Sequence, residues 1–321
     1  MILALLATAA FWGEAIAKPH SVLIIHSYHR ELPWVQQCDQ GISVVLSDSC
    51  LLNFVYLDTK RIPESEFPVR TKAAMTEVRR LDPDLVMLGD DNALRMLGPA
   101  IAEIPKPVVF FGINNNPREY FDELPENVTG ILERVPLFPL IRHLARILPE
   151  AQKALVLTDS SPTSKAVIYT TFAQRRMVTV DKIEVEYLIA SDWNEWRRAV
   201  KEQTTHDLIA IPLFHALKDN TGRHIPTEEV IRWTSKNSPV PVFAYQDYAV
   251  GDDGVVGSYV IFGKTHGRYA ALLARDILEG KEPHVPPAYM DQGGKFFFNE
   301  KQLKRFGLTL PPEIRERTIF R

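Results

Sequence analysis

The sequence predicts an α/β protein of two similar lobes, each a parallel sheet covered by helices. Three observations carry this. Short apolar, β-rich runs alternate with longer amphipathic stretches, the pattern of βα units. Past the middle of the first half the alternation pauses and a second series of similar size begins, without a residue-level repeat between the two. Finally, the 321 residues suit two domains of about 150 residues each, and 45% hydrophobic against 24% charged residues is enough to bury both cores.

The chain opens on a separate feature. Met1 to Gly13 is almost wholly apolar and leads to Ala15-Ile16-Ala17, the pattern of a secretory signal peptide cut after Ala17. No Lys or Arg precedes the run, and a buried N-terminal strand or helix is the alternative reading. The run is shorter than the roughly 20 residues of a permanent membrane helix. No cysteine stands at the cut, so the expected product is exported to the periplasm without a lipid.

The first series has strands expected at Val22–Ile25, Asn53–Leu57, Leu85–Leu88 and Val108–Phe111, with amphipathic stretches at Trp34–Leu46 and Pro68–Leu81. Asn127–Val135 reads as an extended connector. The second series opens with a helix at Leu137–Leu148 and has strands at Ala154–Leu157, Glu184–Leu188, Leu208–Ile211 and Val242–Ala244. Helices at Lys165–Arg176, Trp193–Gln203 and Thr227–Ser235 separate them. A strand at Val255–Ile261, a helix at Lys264–Leu278, a proline-rich loop, a strand at Lys295–Phe298 and a last short helix complete the chain. Such a path crosses between lobes more than once, which makes a hinge at Asn127–Val135, Tyr245–Val250 and around Gly280–Pro287.

Charge and cysteine content exclude several classes. With 37 Lys+Arg against 40 Asp+Glu the net charge is -3, so neither nucleic acid nor an anionic membrane surface is an expected partner. Two cysteines build no disulfide framework. The helix between Cys38 and Cys50 holds them about 18 Å apart, so two free, mostly buried thiols are expected.

Ligands of open parallel sheets bind beyond the carboxyl ends of the strands. Those ends carry polar clusters: Ser27 and Tyr28 with Trp34 close behind, Asp58 and Thr59, Asp90 and Asp91, Asn114 and Asn115, then Asp159, Ser160 and Ser161, and finally Tyr245 and Asp247. Any one cluster reads equally well as a helix cap or a turn. Six at the same sheet end favour a binding rim. Aromatic faces (Tyr28, Trp34, Tyr245, Tyr248), hydroxyls, a helix start at Ser160, Ser161 and Thr163 for a carboxylate, and an acidic residue among Asp90, Asp91 and Asp247 for an amine suit an amino acid or a related zwitterion, with a sugar as the competing reading.

Chemistry is less supported. Asp90-Asp91 as an acid/base pair and His26/His29 as metal ligands are weak readings. No nucleophile elbow, phosphate-binding glycine loop or His-Glu-x-x-His helix occurs. No catalytic residue, metal or cofactor is expected.

In order, His26-Ser27-Tyr28-His29 with Pro33-Trp34, Tyr56-Leu57-Asp58-Thr59-Lys60-Arg61, Asp90-Asp91-Asn92-Ala93-Leu94 and Phe111-Gly112-Ile113-Asn114 resemble the ABC-transporter substrate-binding family of the type I periplasmic-binding fold. That branch includes tryptophan-binding transport proteins. Similar segments occur as sensor regions of histidine kinases and diguanylate cyclases, but no second transmembrane helix, kinase or cyclase region is found here. The likeness spans the mature chain, including Phe298-Asn299-Glu300-Lys301 and on to Leu308 and Pro311. It implies two Rossmann-like lobes joined by three crossings, residues 18–132 with 249–281 and residues 133–248 with 282–321. It further implies a monomer that captures a small molecule and delivers it to an ABC permease. The alternative is a sensing module that docks on a membrane kinase or cyclase.

Overall fold

A computed structural model describes residues 18–282 and 294–321. The expected signal peptide and most of the third crossing lie outside the described residues. The first part of the chain runs β1 (His20–His26), α1 (Pro33–Leu46), β2 (Cys50–Tyr56), α2 (Phe67–Leu81), β3 (Leu85–Gly89), α3 (Asp90–Ala102), β4 (Val108–Ile113) and β5 (Val128–Leu132). There follow α4 (Leu137–Ile147), β6 (Lys153–Asp159), α5 (Pro162–Phe172), β7 (Met177–Val180), β8 (Ile183–Ala190), α6 (Trp193–Lys201), β9 (Leu208–Ala210), α7 (Thr227–Asn237) and β10 (Val242–Ala244). The chain ends with β11 (Gly257–Val260), α8 (Gly263–Leu278), β12 (Lys295–Phe298), α9 (Glu300–Arg305), α10 (Pro312–Arg315) and β13 (Thr318–Phe320).

Sheet A has the order β2-β1-β3-β4-β5, every pair parallel. Successive side chains of a strand face opposite ways, and here both faces are covered. Leu23, Ile25, Val86, Leu88, Val108 and Phe110 pack with α2 and α3, while Val22, Ile24, Leu85, Met87, Val109 and Phe111 pack with α1 and α8. Helix α2 stops at Asp82, whose φ of 42° is left-handed and whose N–H closes on the Val78 carbonyl. Cys38 and Cys50 are buried and unpaired, as the helix between them requires.

Sheet B has the order β13-β12-β11-β10-β9-β6-β8-β7 and is mixed, with β7 antiparallel to β8 and β12 antiparallel to β11. One face buries Val156, Phe243, Phe296 and Phe298 under α4 and α5, and the other buries Leu157, Ile209, Ile211 and Phe297 under α6 and α7. At the start of α6 the Asp192 carboxylate accepts the Glu195 N–H at 2.9 Å, and Glu195 accepts the Ser191 N–H at 2.7 Å.

Three strands depart from the sequence expectation. The connector Asn127–Val135 contains β5, a full edge strand of sheet A. β7 forms a hairpin with β8, and β13 pairs with β12. The assignment of 249–281 to the first lobe also changes. β11 bonds to β10 and β12, with Val255, Val256 and Val260 in the cores of sheet B, so only α8 of that segment returns to sheet A.

α8 returns against α1 at very short range. A Cβ at Gly267 would stand 2.2 Å from the Cys38 carbonyl oxygen, and one at Gly41 would stand 2.1 Å from the Lys264 carbonyl oxygen. Both obstacles are backbone, so neither side can yield without moving a helix. Gly267→Ala is expected to cost about 1–3 kcal/mol through this overpacking. A urea midpoint equal to wild type would show that the helices separate freely.

Candidate functional site

The strand ends of both sheets face one cavity. Its walls are Tyr28, Leu32, Trp34, Gln37, Lys60, Asp90 and Asn114 from the sheet A side, Glu133 on the crossing after β5, Thr163, Leu213 and His215 from the sheet B side, Tyr245–Tyr248 on the loop from β10 to β11, and Ile261 where the chain passes from β11 to α8. Because β10 and β11 are neighbours in sheet B, Tyr245–Val250 is a loop within that lobe and not the crossing expected there. The lobes touch across it. The Tyr28 hydroxyl lies 2.9 Å from the Thr163 hydroxyl, the Gln37 amide donates to Asp247 at 3.3 Å, and Lys218 Nζ donates to the Ile62 carbonyl at 2.9 Å.

Several ionisable side chains in these walls, His215 and Tyr28 included, are almost fully buried. Lys60 is 4% exposed, Asp90 2% and Glu133 4%. Lys60 Nζ sits 4.2 Å from the centre of the Tyr28 ring and has no hydrogen-bond acceptor among the described residues. Burial lowers its pKa, and the nearby Asp159, Asp90 and Glu133 carboxylates oppose that shift. Asp90 is held well above the usual carboxylate range by burial and then by Glu133, and Lys60 pulls it back. Its Oδ2 has no hydrogen-bond partner among the described residues. Glu133 is pushed up to about 7, mainly by burial, and accepts the Asn114 amide at 3.1 Å.

Backbone geometry sets Asp90 in place. The chain leaves β3 and turns into α3 with Asp90 at φ 65°, a left-handed conformation rare outside glycine. Opposite it, Gly112 has φ +72° and a Cβ there would lie 3.1 Å from Asp90 Oδ1. That position needs glycine.

Of the residues expected at the rim, Tyr28, Trp34, Asp90, Asn114, Tyr245 and Asp247 line the cavity. The others hold the strand–helix turns. The Ser27 hydroxyl donates to the Gly89 carbonyl and accepts the Ala93 N–H; Thr59 donates to the Ser27 carbonyl and accepts from Asn92. Asp58 binds Arg61 at 2.6 Å. Asp91 accepts the N–H groups of Asn114 and Asn115 and the Tyr120 hydroxyl, and the Asn115 amide donates to Glu119. Asp159 accepts from the Ser161 N–H, the Ser164 hydroxyl and the Ala216 N–H.

Two expectations about ligand groups change with this geometry. The start of α5 is not an open carboxylate site: Ser160 and Ser161 stand outside the cavity, Pro162 has no N–H, and the Ser161 hydroxyl caps the Ser164 N–H. Asp247 is already paired with Arg321 at 2.8 Å, so it is a poor partner for an amine. His26 and His29 serve separate carboxylates, Asp39 at 2.6 Å and Asp58 at 3.5 Å. The sequence reading missed Lys60, Glu133, Gln37, His215 and Gln246. Lys60 and Gln246 carried a signal, their places in the polar runs Asp58-Thr59-Lys60-Arg61 after β2 and Tyr245-Gln246-Asp247-Tyr248 after β10.

A family model described as ABC transporter substrate binding protein matches residues 70–319. The chain belongs to that family. It is a solute-binding protein of ABC transporters, a class of extracytoplasmic proteins that bind small molecules and are not classed as enzymes. Solved structures show its two-lobed fold. An ABC domain from Streptococcus pneumoniae in complex with L-Trp has 20% identity and a TM-score of 0.71, with 94% of this chain and 100% of that one covered. A ligand-free, open substrate-binding protein with adhesive properties from Clostridium difficile has 17% identity and a TM-score of 0.64, covering 94% and 99%. A carbohydrate transporter from Acidothermus cellulolyticus in complex with myo-inositol has 12% identity and a TM-score of 0.58, covering 87% and 94%. No curated relative matches the chain in sequence. Among the described residues of this binding protein, no helix is long and apolar enough to cross a membrane.

Proposed function

We propose that this chain is a periplasmic solute-binding protein, exported by the segment ending at Ala17 and not lipidated, that works as a monomer. It captures an amino-acid-like zwitterion with an apolar or planar body and passes it to an ABC permease. The observation that carries this reading is the pairing inside one cavity of the buried Lys60 side chain, whose Nζ makes no hydrogen bond among the described residues, with two buried carboxyl groups, Asp90 and Glu133. Lys60 takes the ligand carboxylate, and Asp90 with Glu133 takes the ammonium. Tyr28, Trp34, Tyr245 and Tyr248 supply aromatic walls for the body. That a solved relative carries L-Trp supports the class, whereas the relative with myo-inositol keeps a sugar as the competitor to test.

A thermal-shift screen against amino acids, aromatic acids, purines and sugars tests the reading. A ligand at a hundred times its dissociation constant adds about 2.7 kcal/mol to stability. The expected hits are zwitterions. Stabilisation by neutral sugars alone would end the reading.

A further inference from the structure

We propose that Arg321 is a positioning residue of the cavity: acting through Asp247 it holds Gln37 of the opposite wall and sets how firmly the cleft stays closed. Its effect on solute capture rests on the function proposed above, but the relay itself does not. Arg321 follows β13, the edge strand of sheet B. Its backbone is fixed there, with its N–H donating to the Phe298 carbonyl at 3.0 Å and its carbonyl accepting the Asn299 amide at 2.5 Å. The guanidinium lies 4.9 Å from the centre of the Phe297 ring and meets Asp247 Oδ2 at 2.8 Å.

From Asp247 the contacts continue across the cleft. Asp247 Oδ1 accepts the Gln37 amide at 3.3 Å, and Gln37 Oε1 accepts the Gly263 N–H at 3.0 Å. Asp247 belongs to the loop between β10 and β11 of sheet B, Gln37 to α1 and Gly263 to the first turn of α8. One relay therefore joins the tail and the β10–β11 loop of sheet B to the two helices that pack together on sheet A.

The charge of Arg321 is what makes Asp247 usable here. A carboxylate with one oxygen on a guanidinium is both neutralised and oriented, which leaves its second oxygen aimed at Gln37. Without Arg321, the Asp247 carboxylate loses its counter-charge and its fixed orientation, and it turns toward solvent. Gln37 then loses its acceptor and its hold on Gly263. The Gly263 N–H is a helix-start donor with no intrahelical partner, so its protection depends on Gln37.

Residue-resolved amide hydrogen exchange on the ligand-free full chain tests this. Arg321→Ala and the milder Arg321→Gln are each expected to speed exchange at Gly263 at least threefold, besides any change in β12 and β13. Arg321→Lys keeps the charge and is expected to restore most of the Gly263 protection. In an Asp247→Asn background, Arg321→Ala is expected to add nothing at Gly263. Faster exchange confined to β12 and β13, or an undiminished Arg321→Ala effect at Gly263 in the Asp247→Asn background, would overturn the relay. Because no ligand is present, either result speaks to Arg321 and leaves the proposed function to its own screen.

Discussion

Replacing Lys60 by methionine weakens binding of a carboxylate-bearing ligand by at least about 30-fold, which is about 2 kcal/mol at the lower end of the range for losing one partner of a buried charge pair. Methionine keeps most of the stem that packs near Tyr28 and removes only the charge. The effect is large because the Lys60 side chain is buried and its Nζ makes no hydrogen bond among the described residues, so the ligand carboxylate is its first hydrogen-bonding partner. The variant still folds, since burial already favours the protonated, neutral forms of Asp90 and Glu133. Calorimetry with an amino acid found in the screen and with the amine lacking its carboxylate separates the roles. The amino acid loses affinity and the amine loses little. An equal loss for both would mean that Lys60 only shapes the cavity.

Much of this molecule is legible in its sequence, and the exceptions have physical causes. β1, β3 and β4 are buried on both faces, so each shows as an unbroken apolar run, as with Val22–Ile25. β5 hides because Gly130 interrupts it, and Gly130 is required there: a Cβ would lie 2.1 Å from the Phe110 carbonyl oxygen. The strand at β11 is visible, but its choice of sheet B is decided by pairing with β10 and with the distant β12. At the site, the rule that ligands bind at strand ends finds Tyr28, Trp34, Asp90, Asn114 and Tyr245. It also collects Ser27, Thr59, Asp91 and Asp159, because the residues that cap helices are the same types that hold ligands. Lys60 and Glu133 escape for the opposite reason. Lysine and glutamate are nearly always solvated, and their burial here appears only once both lobes and a crossing meet around the cavity.

His266 makes the protein lose stability in acid by a route that one substitution removes. It sits on α8, is 4% exposed, and its Nε2 accepts the Gly112 N–H at 2.8 Å beside the Trp34 ring. Burial lowers its pKa from 6.5 to about 4. The unfolded chain therefore takes up a proton near pH 6.5 that the folded chain refuses until about pH 4. The contribution is complete above the unfolded value and is lost as pH falls through that window, to a total of about 3 kcal/mol. Glu133, raised to about 7, works the other way and gains stability as pH falls below that value, so the wild-type profile alone mixes the two. The difference between proteins isolates His266. In His266→Gln the side-chain oxygen takes over the Gly112 N–H and carries no titrating group. Urea unfolding of both proteins at pH 7.5 and pH 5 is expected to show wild type losing about 2 kcal/mol more than the variant between the two conditions. Parallel losses would mean that His266 takes up its proton in the folded chain as readily as in the unfolded one, its ring turning away from the Gly112 N–H.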